Sequence, residues 1–381
     1  MRNRFLSLAV VLTGVAGGSA AQAQTVHQIE SNNTAYGTTA AEFLVLAPTG
    51  RGAALGNSFS ALTTDVSALH YNPAGLSQMS RPELNATSTS YLADTHYNWV
   101  GIGLPFGGGA KAIGFSFGSF GFSDQPVYTV EDPTGASGEV YSVAESFIGM
   151  TYSQQFSDRF AAGVTGKFIN DRLGGVSGRA FAIDFGTSFH ANVGNKPIRA
   201  AFTIRNLGTT LKHNGNSLNA LVQREPPSDQ QNIPQEPAQA SLRTKEWQLP
   251  IEFRVALAYD IFSTQMSRLS LLGEFTQPNN NDPTFGFAGE YNVRLGSSGF
   301  SLAPRASYTY QPANNLDPAG PGSADYAGFN TTVGSGADGF AAGAGINYRK
   351  NPRSLGFGVD YAYRSYGPLG GVNVLSLGLS W

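Results

Sequence analysis

In three stretches of the second half of the chain, every second residue is apolar and the residues between are charged or small. In Ile251-Phe253-Val255-Leu257-Tyr259-Ile261 the intervening positions are Glu252, Arg254, Ala256, Ala258 and Asp260. Phe285-Phe287-Gly289-Tyr291-Val293 alternates in the same way with Gly286, Ala288, Glu290, Asn292 and Arg294. Leu355-Phe357-Val359-Tyr361-Tyr363 does so with Gly356, Gly358, Asp360, Ala362 and Arg364. A period of two belongs to a β-strand, whose successive side chains leave on opposite faces. Each stretch therefore has one oily face and one wet face.

A soluble sandwich with the oily face inward and a membrane barrel with it outward both give this pattern. Length separates them, because segments of about ten residues match a tilted membrane strand, whereas soluble strands run to about five or six. Lipid offers no water to unpaired backbone groups, so such strands must close on one another. The pattern predicts an all-β fold, an antiparallel transmembrane β-barrel. Fourteen strands can be placed, beginning at Glu83, Tyr97, Ala110, Val143, Arg159, Gly178, Pro197, Trp247, Met266, Pro283, Gly299, Gly339, Ser354 and Gly371.

The connections test that count. Barrels of this kind have short turns on the periplasmic side and longer loops outside. With a periplasmic start, the links after even-numbered strands are expected to be short, and they fall at 106–109, 157–158, 192–196, 263–265, 295–298 and 350–353. The three longest, 123–142, 207–246 and 311–338, all follow odd-numbered strands. The 207–246 link carries Pro226, Pro227, Pro234 and Pro237, a composition that predicts an extended, mobile loop able to wrap a partner.

Arg2 and Arg4 precede an apolar run over residues 5–15, and small residues lead to Ala21-Gln22-Ala23. This is the form of a secretory signal peptide, with cleavage expected after Ala23 and the bacterial outer membrane as destination. The chain has no Cys, which fits export without disulfides and removes thiolate catalysis. With 13% charged residues and a net charge of −2, nothing draws it to nucleic acid.

Three parts follow: a signal peptide (1–23), an N-terminal hatch or plug (24–82) and the barrel (83–381). The plug does not alternate; residues 38–46 and 65–69 read as short helices, the second capped by Asp65. It is too apolar to hang in water and too short for its own core, so it is expected inside or under the barrel. At the other end Leu375, Leu377, Leu379 and Trp381 alternate with Val374, Ser376, Gly378 and Ser380. This resembles the terminal-strand signal read by the barrel assembly machinery.

Residues 40–48 (AAEFLVLAP), 50–56 (GRGAALG) and 65–76 (DVSALHYNPAGL), in this order and spacing, resemble the opening of the PorV/PorQ family. Asn72-Pro73-Ala74-Gly75 alone also resembles the hatch of FadL-type fatty-acid channels. The likeness continues through 357–363 (FGVDYAY) and the last strand. It implies a fourteen-stranded FadL-like barrel and, from the best understood relatives, a part in type IX secretion. Its partners would be secreted cargo proteins and secretion-system components, and the alternative is a passive channel for hydrophobic compounds.

The alternation turns Lys167, Asp184, Arg205, Glu252, Arg254, Asp260, Glu274, Glu290, Arg294, Arg305, Asp360 and Arg364 toward the lumen. Both signs occur in similar numbers, which suits a cross-paired lattice better than an ion-selective ring. In the hatch motif, Pro73 holds Asn72 extended and Gly75 allows a positive φ. Gly114-Phe115-Ser116-Phe117-Gly118 matches G-x-S-x-G, but that motif needs a strand-to-helix turn and here it lies within a strand. His27, His70, His96, His190 and His213 are scattered, with no metal-binding spacing, and Gly107 to Gly109 read as a tight turn. No enzymatic activity, cofactor or metal is expected. Four Asn and Asp residues in a row, Asn279 to Asp282, leave an ion site open.

If the last strand carries the assembly signal, deleting Trp381 lowers the amount of protein in isolated outer membranes far more than Ser116→Ala does; equal, normal levels of both variants contradict this.

Overall fold

A computed structural model describes residues 37–130, 132–222, 236–311, 339–351 and 353–381. The signal-peptide region, His27 and the link at 312–338 lie outside the described residues. Within them, fourteen strands form a closed antiparallel barrel. They are β1 (Glu83–Ser90), β2 (His96–Phe106), β3 (Lys111–Pro126), β4 (Val140–Ser157), β5 (Phe160–Leu173), β6 (Val176–Val193), β7 (Lys196–Gly208), β8 (Glu252–Ser263), β9 (Ser267–Pro278), β10 (Thr284–Arg294), β11 (Phe300–Tyr310), β12 (Phe340–Arg349), β13 (Gly356–Ser365) and β14 (Gly371–Ser380). Each pairs with the next in sequence, and β14 returns to β1 in a register running from Glu83↔Ser380 to Ser90↔Asn373. Among the described residues no helix is long and apolar enough to cross a membrane.

Exposure along each strand is the reverse of a soluble sheet. On β8, Val255 and Leu257 are 41% and 53% exposed, whereas Arg254 and Asp260 are 3% and 1% exposed. On β10, Phe285 and Phe287 face outward and Glu290 is buried. Burying charge while exposing Phe and Leu is unfavourable in water. With hydrocarbon outside and a polar lumen inside, the same arrangement is the stable one.

The strands start within three residues of the positions expected from the sequence, except β8. Trp247 belongs instead to a two-residue ladder with Leu211, after which Leu249 is buried in the apolar core beneath it, and the wall resumes at Glu252. The described parts of the link between β7 and β8 form short ladders. Asn219–Val222 pairs with Ala238–Ser241, and Asn214–Gly215 adds to the start of β6. Residues 223–235, with Pro226, Pro227 and Pro234, lie outside the described residues, and Pro237 falls just before the returning ladder. The expected 123–142 link shortens to 127–139 because β3 and β4 extend as a ribbon beyond their neighbours. The Gly107 to Gly109 turn has all three residues at positive φ.

Residues 37–82 run inside the barrel. The chain enters at the long-loop end, where Thr39 bridges to Gln248 and Ala40 N–H donates to the Gln248 carbonyl at 2.9 Å. It leaves at the short-turn end, where the Pro82 carbonyl accepts from Trp381 N–H at 3.2 Å. Between lie a 3₁₀ turn (Glu42–Val45), α1 (Gly50–Ala54), α2 (Ala68–Tyr71) and a 3₁₀ helix (Pro73–Gln78). The helix expected at 38–46 shrinks to that first turn. The bridge at Thr39 and the left-handed Ala41, with φ of 59°, stop it from starting earlier. The Asp65 carboxylate accepts from Ser67 N–H at 2.9 Å, ahead of α2.

Candidate functional site

The lumen has two unlike halves, and the plug is matched to both. Toward β2 to β6 the wall presents Tyr97, Trp99, Ala112, Phe147, Ile169, Ala180 and Ala182, and these enclose Phe43, Leu44, Leu69, Leu76 and Met79 of the plug. Toward β7 to β10 the inward apolar residues other than Leu272 are small. Ala201, Ala256, Ala258 and Ala288 leave room for Leu55, Phe59, Leu62 and Tyr71, all at most 1% exposed. Most of the inward charges, Glu252, Arg254, Asp260, Glu274, Glu290, Arg305 and Asp360, lie on β8 to β13, and Lys167, Asp184, Arg199 and Arg205 add to them from β5 to β7.

Those charges pair across strands and with the plug. Arg254 bridges Glu252 at 2.9 Å and Glu274 at 3.1 Å, and Glu252 also takes Arg205 at 2.8 Å. Glu290 receives Arg305 at 2.7 Å and Arg51 of α1 at 2.8 Å, while Arg51 also pairs with Asp65 and Arg305 with Asp360. Lys167 pairs with Asp184 at 2.7 Å and donates to Asn206 Oδ1 at 2.8 Å. Asp260 pairs with Arg199 at 2.8 Å. Of the twelve charges turned inward by the sequence pattern, two stand apart from these pairs. Arg294 is exposed and donates to the Gln265 carbonyl at 3.3 Å, and Arg364 lies over the Tyr366 ring at 5.3 Å.

The plug carries the partners that strand periodicity could not reveal. Besides Arg51, Ser60 donates through its backbone N–H and hydroxyl to Glu274, at 2.9 and 3.0 Å. Arg254 donates to the Asn57 carbonyl at 3.0 Å. Arg205 donates to the Leu44 carbonyl at 3.1 Å and to His70 Nε2 at 2.9 Å. His70 is held well below its ordinary value of 6.5, first by burial and then by the positive charge of Arg205, so the neutral ring serves as acceptor. At the entrance Asn280 donates to Thr39 and Glu42, and Asn279 caps the Ile251 N–H and the Leu249 carbonyl. The amides of Asn279 and Asn280 thus latch the plug entrance and the start of β8. Among the described residues no cluster of His, Asp or Glu is arranged to hold a metal.

The hatch motif is the seat of the plug. Asn72 is extended as expected, its Oδ1 accepts from Ala74 N–H at 3.1 Å, and its Nδ2 donates to the carbonyls of Ser60 and Thr187 at 2.9 and 3.1 Å. The positive φ expected at Gly75 is not found. Gly75 lies in the Pro73–Gln78 helix, and it is glycine because a Cβ there would strike the Thr63 carbonyl. On the wall, Gly163 and Gly186 are bare for the same reason: side chains there would meet Pro73 and Asn72.

The Ser116 hydroxyl is buried and has no hydrogen-bond partner among the described residues. His190 and His213 bond Ser188 and Asp171, both at 3.0 Å, and no histidine among the described residues is hydrogen-bonded to Ser116.

The fold has solved counterparts. The Pseudomonas putida toluene transporter TodX superposes with a TM-score of 0.52 at 10% identity, over 88% of this chain and 98% of that one. The CymD monoaromatic hydrocarbon channel gives 0.51 at 10%, over 88% and 96%. This chain shares their fold. A Pseudomonas aeruginosa FadL homologue is also similar, with a TM-score of 0.47 at 11% identity over 88% and 98%. The family model described as "Uncharacterised protein family (UPF0164)" matches residues 13–163, short of half the chain. No curated protein sequence matches. The barrel therefore has the fold of two structures described as a toluene transporter and a monoaromatic hydrocarbon channel.

Removing one partner from a buried ion pair leaves an uncompensated charge and costs about 3–5 kcal/mol. Glu290→Ala leaves Arg51 with Asp65 alone and Arg305 with Asp360 alone, so it is expected to lower unfolding stability by the lower end of that range in urea titrations of the refolded barrel, whereas Arg294→Ala leaves the midpoint in place.

A group with lower proton affinity in the folded state contributes its stability above its unfolded value and loses it as pH falls below that value. His70 therefore makes plug retention, read as protease protection of residues 37–82, weaken below about pH 6.5. His70→Gln is expected to flatten that dependence, and an unchanged slope would remove His70 from the account.

Proposed function

We propose that this protein is a non-enzymatic barrel of the bacterial outer membrane that works through protein partners docked at its long-loop end, in the manner of the PorV/PorQ family it resembles. One observation carries this reading. The lumen is filled by a plug whose large side chains are buried on one side and ion-paired on the other, so the surface left for function is outside. The ordered ladders of the β7–β8 link and the β3–β4 ribbon both rise at that end. Exported proteins awaiting surface attachment would meet the barrel there.

A second reading has an observation of its own. The half of the lumen lined by Tyr97, Trp99, Phe147 and Ile169 is rich in apolar side chains around the Lys167–Asp184 pair, a surface along which hydrophobic compounds could pass, and TodX is described as a toluene transporter. On this reading the plug moves.

Gentle detergent extraction separates the two. Recovery of large exported proteins bearing C-terminal signal domains is expected with the intact barrel. A fatty acid or hydrocarbon bound in stoichiometric amount, with no protein partner, would transfer the case to the channel.

A further inference from the structure

The outward face of the wall has a dent between β3 and β6. Gly166 points out from the middle of β5, with nothing within 4 Å of the place its Cβ would occupy. Across the ladders it faces Met150 on β4 and Ile183 on β6. Around it stand Phe115, Ile148, Met150, Phe168, Phe181 and Ile183, and they border an open depression of about 680 Å³. That size lies within the roughly 300–1,000 Å³ of small-molecule sites. The rings of Phe168 and Phe181, 5.1 Å apart and tilted by 53°, wall it on one side. Ser116, Lys167 and Ala182 also border the dent but are buried, and Lys167 turns inward to Asp184, so the strand backbone forms the floor.

We propose that this dent binds one acyl chain of a membrane lipid. The inference rests on the outward belt being embedded in a bilayer. The dent is continuous with that belt: Ile148, Met150, Phe181 and Ile183 are each between 45% and 62% exposed, and all are apolar. Whatever fills it must be apolar and must reach the middle of the hydrocarbon layer, which acyl chains already occupy. Area burial gives no advantage here, since lipid tails are as apolar as the wall. Shape decides instead, because an unfilled dent leaves its lining atoms without contact partners, and a chain laid along Gly166 restores them. The site lies at the mid-length of β5; with the outward belt spanning the bilayer, it meets the chain and is indifferent to the headgroup.

The test uses the whole protein in vesicles of phosphatidylethanolamine and phosphatidylglycerol. They are doped with either phospholipid carrying a photoactivatable diazirine midway along one chain, and adducts are mapped by mass spectrometry. Labelling is expected to be several-fold higher on Met150, Phe168 and Ile183 than on Leu257, Leu271 and Phe287, which face outward on β8 to β10, and the same for both headgroups. Gly166→Phe, checked for folding by its heat-dependent gel mobility, is expected to bring β4 to β6 down to the level of the far wall. Uniform labelling in the unmodified protein, or undiminished labelling in the folded variant, overturns the site while leaving the membrane barrel intact. Absence of labelling anywhere on the outward face overturns both.

Discussion

A strand surrounded by lipid can give its backbone N–H and C=O groups only to neighbouring strands, and this requirement fixes most of what is seen here. It closes the sheet: β1 and β14, at opposite ends of the barrel sequence, must pair along their length. It also turns each strand's apolar face outward and leaves the other face to line a narrow interior. Whatever polar chemistry the sequence carries is then collected in one place.

That interior is too small for loosely hydrated charges once a plug occupies it. Arg254 touches two carboxylates and a plug carbonyl, and Glu290 is shared by three arginines, Arg51 of the plug and Arg268 and Arg305 of the wall. A lattice built this way depends on every member. Buried pairs of this kind add little beyond a well-packed apolar core, but the loss of one partner is costly. The plug is therefore positioned by specific counter-charges on one side, between which Ala201, Ala256 and Ala288 make room for Leu55 and Phe59, and by shape on the other, where Tyr97, Trp99 and Phe147 enclose Phe43, Leu69 and Leu76.

The wall was legible in the sequence because its signal is periodic and repeated. Glu252 and Arg254 alternate with Phe253 and Val255, and that alone places them inside. Strand boundaries followed wherever a turn was tight, and failed at Trp247, where the chain folds over the plug entrance before rejoining the sheet. The plug was legible only as a segment that does not alternate. The pairing of Arg51 with Glu290, 239 positions away, left no local trace. Nor did the pairing of His70 with Arg205, because a lone His among apolar neighbours is read more simply as a packing residue. Gly75 was understood for the wrong reason: backbone freedom was the local inference, and a close approach by Thr63 was the cause.

The path of residues 37–82 bears on the order of assembly. The segment passes from the mouth beside Gln248 and Asn280 to the opposite rim beside Trp381, so the finished wall encircles it like a ring drawn around a thread. A thread held along its length by Glu274, Glu290 and Thr187 is not easily slipped into a ring already sealed. The seam between the first and last strands must then be the final joint to zip, with the interior dressed before the door shuts.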